Sequence, residues 1–179
     1  MASAAERRLY WSMVATVVGL DVVTKLVAEA LLLRGTGHSV LGEWLQLRLV
    51  YNPGAAFGLH LGPYSRWIFF TIAVVAVVVL YRMSRASAPG DFFRQVALGL
   101  VSGGALGNLL DRIRSSQGVA DFIDIGVGSV RWPTFNVADI AVSCGAVALA
   151  LSLWREDARR AAAEEAGRAR PATPPAPIT

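Results

Sequence analysis

Four long apolar runs constrain this chain more than any other feature. They extend over about Leu9 to Leu33, Tyr64 to Tyr81, Phe92 to Leu110 and Val137 to Trp154. The first is long enough for roughly 37 Å of helix, so it can cross a bilayer with tilt. The other three lie near the roughly 18-residue minimum for a span. Aromatic residues bracket the second run, WIFFTIAVVAVVVLY, as interfacial anchors do. Arg7 and Arg8 precede the first run as in a secretory signal. That run is too long for one and lacks a small-residue cleavage site, so it reads as a retained span. The expectation is an all-α membrane bundle of four transmembrane helices. Composition agrees: 54% of residues are hydrophobic and 17% charged, with a mean hydropathy of +0.48, where a soluble domain carries about a quarter charged residues.

The formal net charge of +4 would suit nucleic acid if it formed a patch, but the basic residues sit at the ends of the apolar runs. Arginines of the N-terminus, of the second-to-third connection and of the C-terminal segment outnumber those of the other two loops. By the positive-inside rule both termini are cytoplasmic and the loops at about 34–63 and 112–135 lie outside. A four-helix membrane domain over 1–154 is followed by an Ala/Arg/Glu-rich and then Pro-rich tail, 155–179, read as a frayed cytoplasmic helix ending in disorder.

The single cysteine, Cys144, excludes an internal disulfide, and His38 and His60 stand far apart without further ligands, so no metal site is expected. HExxH, the P-loop and GxSxG are all missing, and no cofactor or serine chemistry is indicated. The first outer loop contains LQLRLVY, in which Leu45, Leu47, Leu49 and Tyr51 alternate with Gln46 and Arg48 as in a half-buried strand. A Pro-Gly turn in NPGAAFG follows. VADFIDIGV, Val119 to Val127, is a second expected strand.

Polar residues within spans are costly and therefore point to function. Asp21 and Lys25 lie at i and i+4 and can neutralise each other, either as a brace for the bundle, which is preferred, or with a direct catalytic role. Gly99, Gly103 and Gly107 recur every four residues and offer a smooth face to a neighbouring helix. Packing does not account for Asn108, Asp111 and Arg112 at the end of the same helix. The third span runs outward and the fourth, beginning near Asn136 and Asp139, runs inward, so these residues share one depth. VADFID returns Asp121 to that level. Two adjacent carboxylates that cannot both ionise share a proton, and such a pair can serve as base and acid in peptide hydrolysis. A small proton- or ion-coupled transporter is the alternative, but transporter sites tend towards mid-membrane between repeated halves, and no internal repeat is visible.

DVVTK, NPGAAFG, GGALGNLLDR, VADFID and FNVADIA, in this order over roughly Asp21 to Gly145, resemble lipoprotein signal peptidase (signal peptidase II). The resemblance implies an intramembrane aspartyl protease of the bacterial cytoplasmic (inner) membrane. Its substrates would be prolipoproteins cut just before a diacylglyceryl-modified cysteine. It further implies an extracytoplasmic β-cradle, contact with membrane lipids, inhibition by globomycin-type peptides, no nucleic-acid partner and a monomer. Carried over, Asp121 and Asp139 would be the catalytic pair, and Asn52, Gly54, Asn108, Arg112 and Asn136 would line the substrate pocket. Asp111 competes with Asp121 as partner of Asp139. Arg112 and Arg114 would hold Asp111 ionised, whereas Val119, Phe122 and Ile123 around Asp121 favour a shared proton. The connector RIRSSQGVAD is about one residue longer than the family's spacing, which a loop can absorb. Asp124, opposite Asp121 by strand parity, reads as a surface acid.

Overall fold

A computed structural model describes residues 1–54 and 62–169. Most of NPGAAFG, together with His60, and the Pro-rich end of the tail lie outside the described residues. Four long helices carry the chain: α1 (Ala4–Leu31), α2 (Ser65–Ala86), α3 (Phe92–Arg114) and α4 (Val137–Ala169). Among the described residues, three helical stretches, Gly62–Ala86, Phe92–Arg114 and Val137–Glu165, are long and apolar enough to cross a membrane. α1 is as long, with 28 residues, but carries Asp21, Lys25 and Glu29 in its second half. α4 continues past Trp154 without a break, so the change in composition there is not a change in backbone.

α3 is the central element, packed against α1, α2 and α4, and its glycines make that possible. A Cβ on Gly99 would lie 2.7 Å from Met13 Cβ, and one on Gly103 2.7 Å from Val17 Cβ. The four-residue glycine face therefore receives α1, close enough that only hydrogen fits. At Gly107 the added atom would meet the Asp21 carboxylate at 2.5 Å, so this glycine makes room for a charge. Tyr10, Val14, Leu80 and Leu98 form the apolar core away from the sheet. α2 leaves Trp67, Ile72, Val75 and Val78 exposed, as a lipid-facing helix does.

An antiparallel sheet of order β1-β2-β3-β4 stands at one end of the bundle: β1 (His38–Leu41), β2 (Leu45–Asn52), β3 (Val119–Val127) and β4 (Val130–Arg131). The two alternating segments are its central pair, with Val50 opposite Asp121 and Asn52 opposite Val119. A register shift between Leu47 and Val50 interrupts the alternation, yet Leu49 is buried between exposed Arg48 and Val50. Phe135 extends the pairing, donating its N–H to the Ile123 carbonyl at 3.0 Å. That contact brings the start of α4 directly beside Asp121.

Asp124 departs from expectation. It does lie across the strand from Asp121, but it is buried, not a surface acid. Arg131 of β4 donates from Nε to its Oδ1 at 2.7 Å and from its guanidinium to the Asp124 carbonyl at 3.2 Å, so this side chain takes the place parity would leave to solvent.

Candidate active site

Asn136 caps α4. Its Oδ1 accepts the Asp139 N–H at 2.9 Å, and its own N–H donates to Asp139 Oδ2 at 3.2 Å. This is a reciprocal capping box built from Asn and Asp. Asp139 sits in the first turn, where unpaired N–H groups and the helix dipole favour a negative charge. A second donor comes from α3: Asn108 Nδ2 donates to Asp139 Oδ1 at 2.8 Å.

Asp121 reaches the same place from β3. It accepts Asn136 Nδ2 on Oδ1 at 2.6 Å and is hydrogen-bonded by the Asn52 side chain. Asn52 Oδ1 accepts the Gly54 N–H at 3.0 Å, so the turn after β2 orients this amide. Burial is the main influence on the Asp121 carboxyl, followed by the negative charge of Asp139, and together they outweigh the amide donors. Its pKa is pushed from the ordinary 3.8 to about 7. One acid of the pair is equipped to be ionised and the other to keep a proton.

Asn136 therefore bridges both acids. It is fully buried, and its place is between the carboxylates, not on the cavity wall. Its side-chain N–H groups also face Asn108 Oδ1 at 3.1 Å and the Ala120 carbonyl at 3.5 Å. The N-x-x-D spacing before an apolar run is the sequence signal for this cap.

Asp111 is held elsewhere. Its Oδ2 lies 2.8 Å from Lys25 Nζ and accepts the Ala120 N–H at 3.2 Å, while Oδ1 is 3.5 Å from Arg114. Lys25 is thus its nearest cation, where the sequence pointed to Arg112 and Arg114. Lys25 also pairs with Asp21 at 2.7 Å, the i,i+4 contact expected, and Asp21 Oδ1 accepts the Ala138 N–H at 2.9 Å. Asp21, Lys25 and Asp111 are all buried and none lines the cavity.

The cavity has a volume of about 540 Å³, and Asp121, Asp139, Asn52, Asn108 and Arg112 are on its wall. Arg112 donates to the Gly54 carbonyl at 2.7 Å and the Asn108 carbonyl at 3.0 Å. Its buried Nε has no hydrogen-bond partner among the described residues. Trp132, Pro133, Thr134 and Phe135 close one side, a contribution not legible in the sequence because the connection has no periodicity. Ser143 and Cys144 also border an apolar groove that runs along α4 past Val147 to Leu151. The two carboxyls thus stand on the wall of a cavity that shares Ser143 and Cys144 with an apolar groove along α4.

A family model described as signal peptidase (SPase) II matches residues 13–155. The lipoprotein signal peptidase of Paraburkholderia phytofirmans is 40% identical over 149 residues, covering 81% of this chain and 84% of the relative. That of Oleidesulfovibrio alaskensis is 38% identical over 144 residues, covering 79% and 91%. A solved structure, described as a bacterial membrane enzyme determined in meso, superposes with a TM-score of 0.75 at 30% identity, over 84% of this chain and 90% of that one. A second of the same description gives 0.71 at 31% identity, over 80% and 91%.

Proposed function

The chain belongs to the signal peptidase II family, and from that premise we propose that Asp139 and Asp121 are the base and acid with which it cleaves its substrate. It is an aspartic-type membrane peptidase that removes the signal peptide from diacylglyceryl-modified prolipoproteins. The relatives are peptidases, and nothing supports the transporter alternative.

The observation that carries the assignment is the asymmetry of the two carboxyls. Asp139 receives two N–H donors at a helix start, whereas Asp121 is buried with its proton held to about pH 7. Ionised Asp139 takes a proton from water as the water oxygen bonds to the scissile carbonyl carbon. Asp121 gives its proton to the carbonyl oxygen, producing a gem-diol. The gem-diol then returns a hydroxyl proton to Asp121 as the C–N bond breaks. Asp139 passes its proton to the leaving nitrogen, and both acids are restored. Arg112 and Asn52 stand on the cavity wall, where a substrate backbone would lie, and the Gly54 and Asn108 carbonyls hold the Arg112 guanidinium in place.

In the bilayer, all four helices span, both termini are cytoplasmic, and the sheet lies on the outer side of the inner membrane. Residues 1–154 form the peptidase domain and 155–179 the tail. α1 can span despite Asp21 and Lys25 because its charges face α3 and neutralise one another. The signal helix lies along the apolar groove of α4, which brings the bond before the lipidated cysteine to the acids. The enzyme acts as a monomer, with globomycin-type peptides occupying the same cavity. The test is cleavage of a diacylglyceryl-modified peptide beside its unlipidated form by the full chain in lipid nanodiscs. The lipidated peptide is cut, Asp139→Asn lowers the rate by about a thousandfold or more, and equal cleavage of both peptides contradicts the assigned substrate class.

A further inference from the structure

Behind the acid pair lies a charged cluster that the cleavage steps do not use. Lys25 is 1% exposed, and its ammonium has three acceptors: Asp21 Oδ2 at 2.7 Å, Asp111 Oδ2 at 2.8 Å and Asn108 Oδ1 at 3.0 Å. Three acceptors use all three of its protons, so the group is fixed in place. Two ion pairs would be enough for a brace. The bond to Asn108 adds nothing to charge balance, and its consequence is orientation.

A side-chain amide can turn over and exchange its oxygen and nitrogen unless its partners distinguish them. At Asn108 they do. Oδ1 accepts from Lys25 Nζ and from Asn136 Nδ2 at 3.1 Å, so a turned amide would set its NH2 against an ammonium and a second NH2. The only orientation that satisfies both donors leaves Asn108 Nδ2 on Asp139 Oδ1.

We infer that Lys25 is a positioning residue for the reaction: by holding Asn108 Oδ1 it keeps the Asn108 N–H on Asp139 and makes Asp139, not Asp121, the ionised acid of the pair. This rests on the reading of Asp121 and Asp139 as the catalytic pair. Among the described residues, the charged groups around Asp139 are Asp21 and Lys25 from α1, Asp111 and Arg112 from α3, and Asp121 from β3. From α2, Arg66 donates to the Arg112 and Ile113 carbonyls. Arg112 acts on Asp139 through space, whereas Lys25 acts through a hydrogen-bonded amide whose orientation it decides.

Lys25→Met alone would leave two buried acids without their cation and could fail to fold. Lys25→Met combined with Asp111→Asn removes one charge of each sign and preserves the net charge of the cluster. The full chain is assayed in nanodiscs with a diacylglyceryl-modified peptide, recording kcat, KM and thermal midpoint across pH. The expected result for the double variant is a KM within about twofold of wild type, a kcat about tenfold or more lower, and an acidic limb moved to higher pH, because the acid pair loses an ordered amide donor. Asn108→Ser, which keeps both ion pairs but removes the donor, shifts the acidic limb in the same direction by a similar amount. A folded double variant with a lower midpoint but an unmoved acidic limb overturns the inference and leaves Lys25 as a brace. If the double variant does not fold, Asn108→Ser decides: a moved limb supports the inference and an unmoved one overturns it. Cleavage surviving in Asp139→Asn would instead overturn the catalytic pair itself, wherever the acidic limb lies.

Discussion

At the end of the bundle away from the sheet, Glu6 accepts N–H groups from Ser3 and Gly90, Ser84 donates to Gln95 Oε1 at 2.6 Å, and the Tyr10 hydroxyl donates to Ser102 at 2.9 Å. At the sheet end, Asn52, Asn108 and Asn136 converge on Asp121 and Asp139. Both clusters have buried members and both tie helices together. Their difference is what the hydrogen bonds leave over. The first closes on itself, its residues line no part of the cavity, and its bonds join neutral side chains or reach backbone. The second sets two acids against the same cavity and keeps one of them protonated by burial. Polar burial that braces closes on neighbouring groups of the fold, while polar burial at the sheet end sets carboxyl groups against a cavity.

That contrast predicts how substitutions in the two clusters separate. Apart from the two acids themselves, the largest effect is expected from Asn136→Ala at the sheet end. It removes the α4 cap, worth about 1 kcal/mol, and the donor that restrains the Asp121 carboxyl, with kcat falling about a hundredfold. Its pH signature has a definite sign. With Asp121 as the proposed acid, activity is held below its pKa of about 7 and lost as pH rises through it. Loss of a donor that lowers this pKa moves the alkaline limb upward in a rate profile. An alkaline limb at or below the wild-type position would break the contrast.

Gly107→Ala and Gly99→Ala make a smaller, paired test. Both crowd α1, but Gly107 faces the Asp21 carboxylate that holds the Ala138 N–H beside Asp139, whereas Gly99 faces Met13. Each should lower the thermal midpoint, by about 1–3 kcal/mol of overpacking. Only Gly107→Ala should also lower kcat of the folded fraction, by about tenfold. Smallest in activity is Gln95→Ala, which strands Ser84. It should cost about 1–3 kcal/mol of stability and leave kcat/KM of the folded enzyme unchanged, as measured by thermal melts beside peptide cleavage.

The legible parts of this protein are those with a local period or a local pair. Apolar run length announced the helices, alternation announced β2 and β3, and the i,i+4 spacing announced the Asp21–Lys25 pair. The third partner of that pair, Asp111, comes from another helix and has no local signature. β1 and β4 are too short for alternation to register, and with β4 goes Arg131, the residue that turns Asp124 from a parity-assigned surface acid into a buried one. The residues around the two carboxyls were quotable from motifs, but their contacts with one another were not. Asn136 is buried as the bridge between the acids because Phe135 pairs with Ile123, and only tertiary structure supplies that contact.

Asp121 and Asp111 differ most in what surrounds their carboxyl groups. Asp121 keeps its proton in the folded chain to about pH 7 but releases it near 3.8 when unfolded. The native state is therefore favoured less as pH rises between those values, and Asp121→Asn should fold at least as well as wild type at neutral pH. The direct measurement is single-turnover cleavage of a diacylglyceryl-modified peptide at pH 6.5 by Asp121→Asn and Asp111→Asn, each verified as folded. Asp121→Asn should fall by about a thousandfold or more, while Asp111→Asn, which only loosens the Lys25 cluster, should stay within about thirtyfold of wild type. A folded Asp111→Asn without activity beside an Asp121→Asn that still cleaves would contradict Asp121 as the partner of Asp139.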